Sequence, residues 1–394
     1  MKYLNIVGYL AIPMAFVVHL WIGHGKPWEP KVTFILAALG VIPLAHLMGE
    51  ATEQLAEHTG PTLGGLLNAT FGNAAELIIG MIALSKGLNE IVKASLTGSI
   101  LGNLLLVSGA AMVAGGWRRE RQIFSRSAAE ANAGLLALAT GAMLLPAIFH
   151  FTAEKAHDVR LHDHEEKVSI ATSFVLLAVY ALGLLFTLRT HKHLFTRPHA
   201  QSPEDKPGIS AIGHFWSVKR SVLVLLAASV GIGVVAELLV GSAEQMAHDL
   251  GWSEIFVGVI LLAIIGNAAE HSTAILMALR DDMDTAMTIS YQSSIQIALF
   301  AVPFLVLVSW IFHATGISPV GVRPLNLVFS PLEVVGVVLT VGIVIVICMN
   351  GESNWFEGVL LLGLYAILGI AFFYIPTGGG GAVESGALGA AHAP

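Results

Sequence analysis

The sequence predicts an all-α integral membrane protein of about eleven transmembrane helices, one extra N-terminal helix followed by two inverted five-helix repeats. Three observations carry this. Of 394 residues, 55% are hydrophobic and only 12% are charged, a balance that a water-soluble domain with a polar surface does not sustain. Apolar stretches long enough to cross a bilayer recur along the chain. The pentapeptide GNAAE occurs twice, at 72–76 and 266–270.

A hydrocarbon core of roughly 30 Å takes about 20 apolar residues per helix. Such stretches lie near 4–22, 32–55, 62–85, 92–116, 128–149, 168–187, 218–241, 252–279, 286–312, 328–349 and 355–375. The first has one lysine before it and no small-residue cleavage pattern after it, so it reads as a transmembrane helix and not as a signal peptide. Segments 32–55 and 218–241 run into glutamate-rich ends, whose last turns face water or protein. Arg118, Arg119, Arg121 and Arg126 fill one connection; Arg189, Lys192, Arg197, Lys206, Lys219 and Arg220 fill another. Two helices separate these loops, so both fall on one side, which the positive-inside rule makes the cytoplasm. The N-terminus is then cytoplasmic and the C-terminus outside, with Lys26, Lys31, Lys86 and Lys93 on the outer side.

The predicted organisation is a first helix and outer loop (1–31), repeat 1 (32–187), a linker (188–217), repeat 2 (218–375) and a tail (376–394). The linker is polar and proline-bearing with no apolar stripe, which reads as a flexible cytoplasmic connection. The tail is Gly/Ala low complexity. Upstream of each GNAAE lies a matching stretch, GEATEQLAEHTG at 49–60 and GSAEQMAHDLG at 241–251. Downstream, SILGNLLL from Ser99 faces SSIQIALF from Ser293. Three matches in order are a duplication. Each half has five helices, so the second enters the membrane from the opposite side, as in many secondary transporters.

Glu76 and Glu270 lie inside apolar helices near mid-bilayer depth, where an ionisable group costs a few kcal/mol and marks function by default. Glycine before asparagine weakens each helix by about 1 kcal/mol relative to alanine, and local unwinding turns main-chain carbonyls inward. Asn73 and Asn267 stand three residues before the glutamates, on the same helix face if the turn survives. Carboxylate, amide and carbonyl oxygens make a hard, pliable cage that suits Ca2+ better than Mg2+. Zinc or copper would recruit histidine or cysteine, and only His271 is near, pointing about 100° away around the helix. Ser99, Asn103, Ser293 and Gln296 either line the facing wall of the site or hydrogen-bond between helices. Glu53 and Glu244 form a second symmetric pair; with Glu50 and Glu57 at helical spacing, they make an access path that gathers cations and relays protons, or ordinary solvated helix ends.

The histidine-bearing segments HDVRLHDHEEK at 157–167 and HKH at 191–193 read as solvated loops, without a metal-binding spacing such as HExxH, with pH or metal sensing as the alternative. A formal charge of −7 offers no basic field for nucleic acid. The single cysteine, Cys348, allows no intrachain disulfide. No HExxH or GxSG motif points to an enzyme such as an intramembrane protease, and no cofactor is expected beyond the transported ions and the lipid bilayer.

The motifs FGNAAELIIGMIAL and IIGNAAEHSTAI, with SSIQIALF downstream, resemble the paired repeats of the cation/proton exchanger family, the Ca2+/H+ antiporters of the calcium/cation antiporter superfamily. The resemblance runs from about residue 32 to 375. It implies an eleven-helix fold in which Glu76 and Glu270 bind Ca2+ or protons alternately, with the carbonyls of Gly72 and Gly266 as further ligands. An inward proton gradient would then drive Ca2+ out of the cytosol. The alternatives are a Na+/Ca2+ or other cation exchanger and a cation channel. The short termini favour a prokaryotic plasma membrane. Two departures stand out: the linker is basic where many relatives are acidic, and the outer 150–167 connection is longer than a simple hairpin.

Overall fold

The computed structural model describes residues 2–191 and 216–375. Twelve helices follow in chain order. They are α1 (Lys2–Val17, running into a π turn at Val18–Ile22), α2 (Glu29–Phe71), α3 (Ala74–Ser85), α4 (Asn89–Gly116), α5 (Arg126–Lys155) and α6 (Leu161–Thr190). After the linker come α7 (Val218–Leu250), α8 (Glu254–Gly266), α9 (Ala268–Leu279), α10 (Met283–Thr315), α11 (Pro331–Cys348) and α12 (Trp355–Phe373). Side chains of Ser125, Ser217, Ser253, Asp282, Ser330 and Asn354 cap the helices that follow them, satisfying N–H groups that have no partner within the helix.

Among the described residues, nine helices are long and apolar enough to cross a membrane, or ten when α8 and α9, bent by 61° at their break, count as one span. The expected segment 62–85 consists of the end of α2, a break, and the short apolar helix α3. Although α2 is helical over 43 residues, it is not straight. A Cβ placed on Gly64 would lie 2.5 Å from the carbonyl oxygen of Ala56, whereas eight residues of straight helix climb about 12 Å. The chain therefore folds back on itself between Ala56 and Gly64. Its first arm, Glu29–Thr59, is a full span; its second arm leads to the break before α3.

The first arm of α2 packs along α7, with Met48 and Ser229 in contact across the pair, and α1 lies outside α2, with Gly8 tight against the Leu39 carbonyl. The most buried span is α4. It presses on α8 so closely that a Cβ on Gly98 would lie 2.1 Å from the Val259 oxygen. Two short strands, β1 (Gln122–Ile123) and β2 (Glu352–Ser353), pair antiparallel, which sets the α4–α5 and α11–α12 connections on one end of the bundle.

The 150–167 region corrects two expectations. It is no long solvated loop: α5 continues to Lys155 and α6 starts at Leu161, so 156–160 alone connects them. Most of HDVRLHDHEEK is the first turns of α6, whose polar residues include an inward face. Glu165 is only 5% exposed, with His150 Nδ1 at 2.5 Å and His162 Nδ1 at 3.4 Å from its carboxylate. Beside it, the Arg160 backbone N–H and the His164 imidazole hold the Asp158 carboxyl below the usual carboxylate range. Of the second histidine stretch, His191 stacks on Phe186. Lys192, His193, most of the 188–217 linker and the 376–394 tail lie outside the described residues.

Candidate cation site at two broken helices

The site starts from two Gly-Asn pairs. Glycine adds backbone freedom, and an asparagine side chain competes for backbone hydrogen bonds. At both copies the chain leaves the helical region: Asn73 has φ −108° and ψ 26°, and Asn267 has φ −96° and ψ 10°. New helices start at Ala74 and Ala268, which puts Glu76 and Glu270 in first turns, where the helix dipole favours negative charge.

The two breaks face each other. A Cβ on Gly266 would lie 3.6 Å from Glu76 Oε1, and one on Gly72 would lie 3.4 Å from Gln296 Oε1. The charge of Glu270 acts on Glu76. Asn73, 1% exposed, donates from Nδ2 to Gln296 Oε1 at 2.5 Å, while its Oδ1 has no partner. Glu76 Oε2 is also buried without a partner. Glu270 Oε2 accepts from the Ser293 hydroxyl at 2.6 Å. Asn267, fully buried, donates to Ser99 Oγ at 2.9 Å and to the Ala263 carbonyl at 2.9 Å, and accepts from Asn103 Nδ2 at 3.3 Å. Unpaired buried acceptor oxygens are expensive unless a cation or proton satisfies them, and here two stand within one turn, at Asn73 and Glu76.

All four proposed wall residues thus meet a motif side chain. Gln296 on α10 holds Asn73, and Ser99 and Asn103 on α4 hold Asn267, so each motif amide is tied to a helix from the other half. The glycines stand at the breaks as expected. Of the glutamates expected to form an access path, Glu57 and Glu50 bring charges that bear on Glu53, before the fold-back of α2. At the opposite end of the bundle Glu244 is exposed, and its charge and that of Glu90 bear on Glu254. His271 is largely buried, and its Nε2 has no hydrogen-bond partner.

Sequence reasoning missed what aims the wall. A π turn over Gly102–Val107 in α4 contains Asn103, and another over Ile297–Ala301 in α10 follows Gln296. Such turns insert one extra residue and recur at functional sites. The available signal was the register: Asn103 and Gln296 are offset by one position in the aligned repeats, yet both reach a motif amide.

The sodium/calcium exchanger protein family matches residues 30–189 and 220–374. A Ca2+/H+ antiporter of Synechocystis sp. is 44% identical over 93% of this chain and 95% of its own length. The Ca2+/H+ antiporter ChaA of Bacillus subtilis is 42% identical over 90% of this chain and 95% of its own. The solved structure of native YfkE superposes with a TM-score of 0.76 at 37% identity, covering 94% of this chain and 100% of that one.

Proposed function

The chain belongs to the sodium/calcium exchanger protein family, and from that premise we propose that it is a secondary active antiporter that exchanges Ca2+ for H+ across a membrane by alternating access. Relatives that span nearly its whole length carry that activity in their names. The reading has no covalent chemistry and no resident cofactor in it, so the protein is a transporter and not an enzyme.

The observation that carries the mechanism is the pair of unpaired oxygens, Asn73 Oδ1 and Glu76 Oε2, at a break that faces Gly266 of the second motif. Two like charges that act on each other in a buried site repel more strongly than they would in water. The doubly ionised, empty site is therefore disfavoured. One Ca2+ neutralises both carboxylates, and so does a proton on each; this competition couples the two fluxes. Asn73, Asn267 and the Gly72 and Gly266 carbonyls supply neutral oxygens, a pliable set that Ca2+ accepts and Mg2+, with its strict octahedron, does not. Ser99, Asn103, Ser293 and Gln296 position these groups. Glu50, Glu53 and Glu57 serve the cytoplasmic approach and Glu244 the outer one. The N-terminus lies in the cytoplasm and the C-terminus outside, a reading supported by the arginine-rich α4–α5 connection. A prokaryotic plasma membrane and export of cytosolic Ca2+ complete it.

A Na+/Ca2+ exchanger would need charge for several Na+ ions, and this site offers two carboxylates. Proteoliposomes with an imposed gradient separate the two: a pH gradient drives 45Ca2+ uptake and a Na+ gradient of equal size does not. Uptake driven by Na+ alone would contradict the assignment.

A further inference from the structure

A second buried polar track lies outside the cation site, between α4 and α11. Glu333 is 1% exposed. Its Oε2 accepts the Ser330 backbone N–H at 2.9 Å, which completes a capping box, but its Oε1 has no partner. Facing it on α4 is Lys93, 7% exposed, whose Nζ reaches the Val328 carbonyl at 2.8 Å and Glu90 Oε1 at 3.4 Å. Glu90 in turn is largely exposed at the helix end. Thr97, one turn deeper on the same face of α4 as Lys93, is fully buried, and its hydroxyl acts on the Glu333 carboxyl without a hydrogen bond of standard geometry. Thr340, seven residues beyond Glu333 and so on the same face of α11, is also fully buried with an unpaired hydroxyl.

These residues form a line. Both helices run in the same direction, and Gly336 packs against Leu101. Glu333 therefore stands level with Thr97, and Thr340 level with the π turn Gly102–Val107. That turn contains Asn103, which bonds Asn267 in the cation site. The residues that line the Glu76 cavity from α4, among them Ile91, Ser95 and Ser99, occupy roughly the opposite face, since Thr97 and Ser99 are about 200° apart around the helix. Buried polar atoms in native proteins are satisfied, by water where protein is not at hand. The Glu333 carboxyl and the Thr97 hydroxyl face each other, and the unpaired Thr340 hydroxyl beyond them marks a place for water.

We propose that this track is a hydrated proton route separate from the Ca2+ path, with Glu333 as its buried proton-carrying carboxyl, leading from Glu90 at the outer end toward the Asn103–Asn267 bond. The proton arrives from water on Glu333 and leaves it to the next water inward; no other bond changes. Lys93 keeps Ca2+ out of the track by its positive charge. It is the charged group from α4 that faces Glu333, with Glu90 behind it; among the described residues, α5 and α12, also packed on α11, bring no charge that acts on Glu333.

The inference rests on proton-coupled exchange, so its test compares two fluxes in proteoliposomes. One is 45Ca2+ uptake driven by a pH gradient, and the other is Ca2+/Ca2+ self-exchange at equal pH, which moves no proton. Glu333→Gln is expected to cut the proton-driven flux by about tenfold, a barrier change of about 1.4 kcal/mol. Its dependence on outer pH should flatten, with self-exchange kept. Thr97→Val, which removes one hydroxyl at constant shape, should lower the same flux by a smaller factor, and it decides the question if Glu333→Gln does not fold. Equal loss of both fluxes would make Glu333 a packing element, and an unchanged outer-pH profile in Thr97→Val would remove the route. Failure of the wild type to couple Ca2+ to a pH gradient would instead overturn the antiport reading itself.

Discussion

Glu76→Gln and Glu270→Gln each abolish proton-driven Ca2+ exchange, with rates expected to fall by on the order of a hundredfold or more, while the protein still inserts and folds. Glutamine keeps the size and polarity of glutamate but carries no charge and releases no proton. Each variant leaves Ca2+ in the site with half of its compensating charge, and breaking a buried charge pairing by removing one partner costs about 3–5 kcal/mol. The two carboxyls are not equivalent in their surroundings. Glu76 Oε2 is unpaired, whereas Glu270 Oε2 is held by Ser293. Even so, both losses are expected to be complete, because the coupling needs a proton on each. Gradient-driven uptake near the wild-type rate in either variant removes that residue from the site.

The second large effect concerns packing. At Gly98 a Cβ would meet the Val259 carbonyl oxygen at 2.1 Å, and at Gly258, on the other side of the same contact, it would meet Ala94 Cβ at 2.4 Å. Small residues let membrane helices approach this closely. The obstacle at Gly98 is backbone, which cannot rotate away as a side chain can. Overpacking typically costs about 1–3 kcal/mol and more when the backbone must move. Gly98→Ala is therefore expected to lower the unfolding temperature in detergent sharply and to cut transport. Gly134→Ala and Gly141→Ala on α5, where nothing lies within 4 Å of the added methyl, should match or slightly exceed wild-type stability, because alanine favours the helix. Wild-type stability and flux in Gly98→Ala would contradict the tight α4–α8 seam.

Much of the fold was legible because the bilayer imposes it: a spanning helix must be a long apolar run, and such runs stand out. Both helix breaks were legible for a local reason, since Gly-Asn weakens a helix wherever it falls. So was the reversal within α2, which falls in the gap between the apolar runs 32–55 and 62–85. Gly60-Pro61, a dipeptide that marks turns, stands in that gap. The α5–α6 connection was misread because histidine and glutamate look solvent-seeking one at a time. Packed at helix ends, His150, His162 and Glu165 satisfy one another and the carboxylate turns inward. At the site, the residue types were readable but the pairing was not. That Gln296 meets Asn73, while Ser99 and Asn103 meet Asn267, is set by how the two halves pack together, which leaves no composition signature. Glu333 escaped notice because a glutamate three residues after serine at a helix start reads as a cap; it is one, and it is also buried.

The central claim is that Ca2+ and protons compete for the same two carboxyls, and equilibrium binding tests it without transport. Ca2+ is added to the purified protein in detergent, in weakly buffered solution over a range of pH, and the protons released are measured alongside the Ca2+ bound. Binding should weaken as pH falls and release protons, from both carboxyls once the pH is low enough to protonate the empty site. Glu270→Gln and Glu76→Gln should lose this linkage together with most of their affinity. Tight Ca2+ binding that releases no protons at any pH, or that survives in both variants, would contradict the account.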